Sequence, residues 1–103
     1  MVIVSVVYPA SEGARFDVDY YLKTHIPMVR TLAKDSGLRE VKVLRGSSAP
    51  GGGAPAYSIM ALLSFNAAAG FEQVLERHGA EVIGDVPNFT NIEPIIQIND
   101  VLM

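Results

Sequence analysis

The order of hydrophobic patterns along the chain constrains its fold more than any other feature. The first pattern is a continuous β-branched run, Val2–Tyr8, which predicts a strand. Apolar residues then recur at helical spacing from Asp17, the expected N-cap, to about Lys34. Strand patterns follow at Glu40–Arg45 and Tyr57–Phe65. The loop between them is rich in Gly, Pro and Ser, so the two strands are expected to form a hairpin.

A second helical stripe and a last strand complete this order. Asn66 is the expected cap of the second helix, whose stripe is interrupted near Gly79. A connector over Gly84–Asn91 leads to a final strand from Ile92 to about Val101. The order βαββαβ is typical of a ferredoxin-like α+β domain, a four-stranded antiparallel sheet with two helices on one face. At 103 residues, half of them hydrophobic, the chain predicts one domain, 1–103.

Composition excludes several classes of protein. Eight basic residues against eleven acidic ones, with no basic run, argue against a nucleic-acid partner. The absence of cysteine excludes disulfides, thiolate metal sites and a cysteine nucleophile, and predicts a reducing, cytoplasmic setting. The first apolar run is much shorter than the roughly 18 residues that a membrane span requires, so no membrane partner is expected.

The strand patterns are apolar on both faces of the predicted sheet. Alternation in the third strand gives one apolar set on one face and a second set on the other: Tyr57, Ile59, Ala61, Leu63 and Phe65, then Met60 and Leu62. Two helices cover only one face, and a soluble monomer rarely exposes a large apolar patch. We therefore expect a homodimer that packs sheet against sheet through the open face.

His25 is the main candidate for catalysis. Pro27 lacks the N–H that an α-helix needs, so it predicts a kink or break and pushes Ile26 out of helical geometry. His25 then lies at the discontinuity on the apolar stripe, where an imidazole suits general acid–base catalysis. The alternative is a core histidine that bonds a freed backbone carbonyl.

Four further residues are candidates for substrate binding. Tyr21 lies four residues before His25 on the same stripe, and Tyr57 opens the third strand. Either hydroxyl could position a substrate oxygen, although buried tyrosines are often structural. His78 lies on the stripe of the second helix, and Asp85 follows in the connector beside Pro87. Their structural alternatives are contact with carbonyls at a helix C-terminus for His78 and turn formation for Asp85.

The sequence has no cofactor or metal motif. The run Gly51-Gly52-Gly53 is not followed by Gly-Lys-Ser/Thr, so it is not a P-loop, and no Rossmann fingerprint is present. His25, His78, Glu81 and Asp85 do not show metal-ligand spacing. We therefore predict no cofactor, with a flavin or haem held without a motif as an open alternative.

Four segments carry a resemblance to a known family: Tyr8-Pro9, Phe16-Asp17-x-x-Tyr20-Tyr21-x-x-x-His25-x-Pro27, Phe65, and Asp85-x-Pro87-Asn88-Phe89-Thr90-x-Ile92. They resemble the EthD-like family. The resemblance implies a dimeric α+β barrel of ferredoxin-like subunits, with His25 as the polar member of the helix motif and Tyr21 and Pro27 as framing residues. The family name refers to ether degradation beside an oxidising enzyme system. Related barrels include lactone isomerases, polyketide dehydratases and cofactor-free monooxygenases.

Two functions follow as hypotheses. The first is a small cofactor-independent enzyme, broadly of the oxidoreductase type that the resemblance implies. It would act on a small hydrophobic aromatic, lactone or ether-derived metabolite, with His25 moving a proton. The second is a non-catalytic dimeric protein that binds an apolar ligand for a partner enzyme in a degradation pathway.

Overall fold

The computed structural model describes all 103 residues and has the predicted order of strands and helices. The strands are β1 (Val2–Pro9), β2 (Leu38–Arg45), β3 (Tyr57–Phe65) and β4 (Ile95–Asp100). The first helix, α1, spans residues 18–33, and the second, α2, spans Ala68–Gly84. None of the helices is long and apolar enough to cross a membrane.

The four strands form one antiparallel sheet in the order β2-β3-β1-β4. β1 is central and pairs with β3 on one side and with β4 on the other, for example Val4 with Leu63 and with Ile98. Paired residues share a face of the sheet, so this register determines which side chains meet the helices. The fold is ferredoxin-like α+β, as the hydrophobic patterns predict.

Helix α1 passes through Pro27 without a break: of the predicted kink or break, the structure has a π-helical irregularity before Pro27, and the expectation that Ile26 leaves helical geometry is wrong. The helix consists of a short α-turn (Val18–Tyr20), a π-helical turn (Tyr21–His25) and an α-helix (Ile26–Ala33). In the π-turn the N–H of Ile26 bonds the carbonyl of Tyr21 five residues back, and Ile26 keeps helical φ and ψ of −62° and −44°. Pro27 thus lies in the first turn of the following α-helix, where a missing N–H is tolerated.

The ends of α1 follow local sequence rules. Asp17 is the N-cap, as predicted, and its carboxylate accepts the backbone N–H of Tyr20 at 3.0 Å. A 3₁₀ turn, Lys34–Ser36, follows the helix and ends at Gly37, whose φ of 89° is left-handed. A glycine adopts that conformation without the strain that a Cβ would bring, which is why the chain turns there into β2.

Two details of α2 differ from the prediction. Ala67, not Asn66, is the N-cap, and it makes no side-chain cap bond. Asn66 instead accepts a hydrogen bond from Arg39 of β2 at 2.9 Å, so tertiary contact outcompetes capping. The helix is also unbroken at Gly79, where the apolar stripe was expected to be interrupted, and it ends at Gly84, where the predicted connector begins.

Strand β4 is shorter than predicted. Pro94 cannot donate a ladder hydrogen bond, and β4 begins directly after it. Ile92, expected within the strand, is buried in the core beneath the connector. At its other end the strand stops at Asp100, so Val101 lies outside the sheet.

The layer between the sheet and the helices contains two clusters of buried residues. The apolar cluster comprises Val2, Val4, Ala33, Leu63, Phe65, Phe71 and Val74. The tyrosine cluster comprises Tyr8, Tyr21, Ile26, Ile59, Ala61, Phe89 and Ile92. The first lies where β1 begins and β3 ends. The second lies at the other end of the same strands, where π-turn and connector meet.

The opposite face of the sheet carries no helix. Its register brings together six apolar side chains, beside six polar ones. The apolar side chains are Ile3, Val7, Leu44, Met60, Leu62 and Ile95, and the polar ones are Ser5, Glu40, Lys42, Ser64, Gln97 and Asn99. Of the six apolar side chains, Leu44 and Ile95 are exposed, and the other four are half-buried. The alternation therefore places Met60 and Leu62 on the open face, as predicted.

Candidate functional site

The π-turn of α1 positions two of the predicted site residues. Tyr21 and His25 are both buried, with His25 only 5% exposed. Their rings stack nearly parallel, with centroids 5.4 Å apart. Phe89, from the connector after α2, lies against both rings at 4.9 and 4.7 Å. These contacts fix the plane of the imidazole from two sides.

Asp85 binds the imidazole from the end of α2. It is the C-cap of that helix, 60 residues along the chain from His25, and its Oδ2 lies 2.9 Å from His25 Nδ1. Its other oxygen, Oδ1, accepts the Tyr20 hydroxyl at 2.6 Å and the Asn88 amide at 2.9 Å. The carboxylate thus accepts from three side chains, which holds it in one orientation.

These contacts set the charge of Asp85. Burial by itself raises the pKa of this carboxyl, but the hydrogen bonds from Tyr20, Asn88 and His25 outweigh burial and lower the pKa below its ordinary value. The hydrogen bond that Tyr20 donates to Asp85 raises the pKa of the Tyr20 phenol. At neutral pH Asp85 is therefore an anion beside a neutral tyrosine.

The anion determines the proton position on His25. A carboxylate only accepts hydrogen bonds, so Nδ1 must carry the proton that points to Asp85. In the neutral ring, Nε2 then has a free lone pair. No protein atom forms a hydrogen bond with Nε2, and no fully enclosed side-chain nitrogen or oxygen lacks a partner, so Nε2 keeps contact with accessible space.

His25 also lines a small cavity between the helices and the sheet, which we call the inner cavity. It measures about 50 Å³ and is lined by His25 together with residues of both clusters. Fifteen of its seventeen lining residues are hydrophobic. A polar group brought into it is therefore poorly hydrated, which strengthens any hydrogen bond or charge interaction that it makes there.

Two tyrosine hydroxyls supplement His25 at the wall of this cavity. Burial raises the pKa of Tyr8 to about 12, although the neighbouring Tyr21 acts in the opposite direction. Burial also raises the pKa of Tyr21 well above its ordinary value, and Tyr8 adds to that increase. Both phenols therefore stay protonated, and because the two side chains hydrogen-bond each other, one hydroxyl proton remains to be donated to an oxygen of a bound molecule.

The structure brings together some of the residues that the sequence singles out and separates others. Tyr21, His25 and Asp85 form one contiguous group. Tyr57 is 38% exposed at the start of β3 and does not line the inner cavity. His78 does not line it either: its Nδ1 lies 3.4 Å from Glu81 in the middle of α2, two turns before the helix C-terminus at which it was expected.

Sequence reasoning missed two members of the group. The strand pattern identified Tyr8 only as the last residue of β1. The alternation of β1 places Tyr8 on the same face as Val2, Val4 and Val6, which is the face that meets the helices. Tyr20 lies outside the apolar stripe that contains Tyr21, so the helical pattern predicts an exposed side chain. In the structure its hydroxyl donates a hydrogen bond to Asp85. No cluster of three or more His, Cys, Asp or Glu side chains suitable for a metal occurs in the chain.

Comparisons with known proteins identify relatives of the chain. Neither a protein-family model nor a curated protein matches it. Among solved structures, an EthD-like protein from Ralstonia eutropha JMP134 is 37% identical over 99% of this chain and 92% of its own, with a TM-score of 0.91. An EthD family protein from Bacillus halodurans C-125 is 20% identical over 99% of each chain, with a TM-score of 0.68.

A more distant structure has the same fold. It is a dimeric ferredoxin-like protein from an uncultured marine organism, 9% identical over 100% of this chain and 96% of its own, with a TM-score of 0.61. Of these three structures, the Ralstonia protein alone has a substantial sequence identity to this chain, and the alignment covers nearly the full length of both proteins. The chain belongs to the EthD-like family.

Proposed function

We propose that the protein is a small enzyme that moves a proton within a small hydrophobic metabolite, with His25 as the general acid–base. One observation supports this most strongly. The ring of His25 is held by a charged Asp85 at Nδ1, its other nitrogen, Nε2, has no protein partner, and the residue lines an apolar cavity. A core histidine that only satisfies a backbone carbonyl has no need of a carboxylate with three side-chain donors.

The chemistry is proton abstraction beside a carbonyl. Nε2 takes the proton of an acidic C–H bond, and the electron pair of that bond moves towards the carbonyl oxygen to give an enolate. Asp85 stabilises the imidazolium that forms, and one hydroxyl of the hydrogen-bonded pair Tyr8 and Tyr21 donates to the enolate oxygen. In a β,γ-unsaturated substrate the imidazolium returns the proton to the γ-carbon of the dienolate, which gives the conjugated isomer. In a β-hydroxy substrate it protonates the departing hydroxyl group, which leaves as water.

This donor set favours isomerase or dehydratase chemistry over the broader oxidoreductase assignment. His25, Asp85 and the tyrosines are acid–base groups, and we propose that they act without a resident cofactor. An oxidation at the same site would need an electron acceptor, such as dioxygen, to react with the enolate. A reducing, cytoplasmic setting completes the proposal, since the chain contains no cysteine.

Hydrogen exchange tests this proposal without a known substrate. Small neutral ketones and lactones are incubated with the protein in D₂O, and ¹H NMR follows loss of the acidic C–H signal. We expect exchange catalysed by the wild type and abolished by His25→Asn, because an amide cannot transfer protons near neutral pH. His78→Asn is the matched control and should keep full exchange. Equal exchange in the two variants would remove His25 from any acid–base role.

The lining of the cavity favours a second candidate, a ligand-binding accessory protein. An apolar cavity with few polar groups is also what a carrier of hydrophobic molecules requires. The same samples separate the two: a carrier binds ketones without catalysing exchange, and its affinity for them changes little in His25→Asn.

We further propose that a second copy of the chain covers the open face of the sheet. The dimeric ferredoxin-like neighbour and the apolar side chains of this face support it. Sedimentation equilibrium should give twice the 11.1 kDa chain mass. Met60→Lys should give a monomer, because burying an unpaired charge costs several kcal/mol. Leu22→Lys, on the exposed surface of α1, should remain a dimer. A monomeric wild type at micromolar concentration would contradict the proposal.

A further inference from the structure

The inner cavity is too small to hold a metabolite alone. An apolar protein cavity that binds benzene is on the order of 150 Å³, whereas this one measures about 50 Å³. Only a small group of a few heavy atoms fits beside His25. The remainder of any larger substrate must therefore lie outside.

A second depression adjoins the inner cavity. It measures about 380 Å³, is more open, and is lined mainly by the connector from Pro87 to Pro94; we call it the outer groove. Three residues line both the inner cavity and the outer groove: Ile83, Val86 and Pro94. The two spaces are therefore adjacent, and we call these three shared residues the neck. The combined volume of the two spaces reaches the lower part of the roughly 300–1,000 Å³ that is typical of ligand pockets.

The charges around these two spaces limit what can occupy them. Glu93 is the single ionisable side chain that lines the outer groove, and it is exposed without a salt-bridge partner. No Lys or Arg lines either space. An anionic group in the outer groove would meet Glu93 with no cation to compensate. Phosphorylated or carboxylated substrates are therefore disfavoured.

We propose that the substrate is a neutral molecule with two parts: a small carbonyl-bearing head in the inner cavity and a larger apolar body in the outer groove. Ile83 is the specificity residue of the neck between them. The inference rests on the proposed function for the chemistry of the head, since the carbonyl is placed to meet His25 and a tyrosine hydroxyl. Size and charge selection depend on the neck and Glu93 alone.

Binding of three related probes tests the proposal. 4-Acetylbenzamide and 4-acetylbenzoate have the same shape, with an acetyl head on a ring, but only the second is charged; acetone has the head alone. NMR titration of the wild type should show the benzamide bound more tightly than acetone. It should also show the benzoate about fivefold weaker than the benzamide, as like charges near a surface predict. Glu93→Gln should remove most of that difference.

Substitution at the neck tests the route between the two spaces. Ile83→Trp should weaken 4-acetylbenzamide about tenfold, equivalent to about 1.4 kcal/mol. Leu22→Trp is the matched control, because Leu22 and Ile83 are exposed apolar residues of helices at 47% and 46% exposure, and Leu22 lines neither space. It should leave the affinity unchanged.

Three results would overturn this inference: no binding of the benzamide to the wild type, equal affinities for benzamide and benzoate, or equal effects of the two tryptophan variants. Each readout is binding, so it is independent of catalysis. If the neck and Glu93 behave as expected while no probe exchanges its protons, the two-part ligand stands and the proposed enzyme function fails.

Discussion

The two clusters beneath the sheet are built from the same strands and differ in chemistry. The apolar cluster has no polar side chain, and its largest member, Phe65, is fully buried against Phe71. The tyrosine cluster contains two phenols and borders the His25–Asp85 pair. A small domain is only marginally stable, and burial of hydrophobic side chains is the main contribution that stabilises it. The comparison indicates that the apolar cluster mainly stabilises the fold and that the tyrosine cluster mainly holds the site.

The largest expected effect comes from removing one phenylalanine from each cluster. Phe65→Ala and Phe89→Ala should each lower the free energy of unfolding by about 3–5 kcal/mol, because both side chains are buried. Only Phe89→Ala should shift the NMR signals of the His25 ring, which it contacts. Urea denaturation and histidine NMR measure the two effects. A similar shift in Phe65→Ala would erase the distinction between the clusters.

Asp85→Asn should have an intermediate effect. It weakens three hydrogen bonds to a charged acceptor, and we expect a loss of about 1–2 kcal/mol in urea denaturation. Asp35→Asn, at the exposed 3₁₀ turn after α1, makes no such contacts and should change stability by less than about 0.5 kcal/mol. Equal losses in the two variants would show that the Asp85 carboxylate contributes nothing specific.

The same variant has a defined pH dependence. The pKa of Asp85 is lower in the folded chain than its ordinary value of 3.8, so the folded state binds fewer protons than the unfolded state. Its stabilising contribution is fully present above pH 3.8 and is lost as the pH falls through the lowered pKa. The stability difference between wild type and Asp85→Asn should therefore shrink on acidification from pH 5 towards pH 2. A difference that grows with acidity would contradict the assignment.

The smallest effect is expected from Tyr8→Phe. The ring stays in place, so stability at pH 8 should change by less than about 1 kcal/mol. Burial raises the pKa of Tyr8 from 10.0 to about 12, so the folded state retains a proton that the unfolded state loses. Wild-type stability should then fall between pH 10 and 12, and Tyr8→Phe should fall less steeply. Identical slopes would show that the Tyr8 hydroxyl is not held in a dry environment.

The fold was predictable from sequence because periodicity records which side chains are buried. The six elements and the open apolar face all follow from local alternation. The expectation that Ile26 leaves helical geometry before Pro27 was wrong because a proline removes one hydrogen bond but does not determine how the helix adapts. Here a π-turn before the proline keeps the helix continuous. Asn66 misled because its capping preference competes with Arg39, a residue distant in sequence.

The site was predictable only in part. His25 and Tyr21 share a helix face and could be paired from spacing. Asp85 was singled out as a candidate for substrate binding, but its contact with His25 spans 60 residues along the chain and depends on how the end of α2 packs beside the π-turn. Tyr20 could not be found by stripe analysis, because its ring leaves the stripe while its hydroxyl reaches the site. Contacts of this kind require the tertiary arrangement.

The central claim is that Asp85 fixes the proton of His25 on Nδ1 and leaves Nε2 free. Two-bond ¹H–¹⁵N correlation NMR at about pH 9, where a histidine is ordinarily neutral, reports the tautomer of each ring directly. The chain has two histidines, and His78→Asn assigns the signals. We predict the Nδ1–H tautomer for His25 in the wild type and a shift towards Nε2–H in Asp85→Asn. An Nε2–H tautomer for His25 in the wild type would contradict the account.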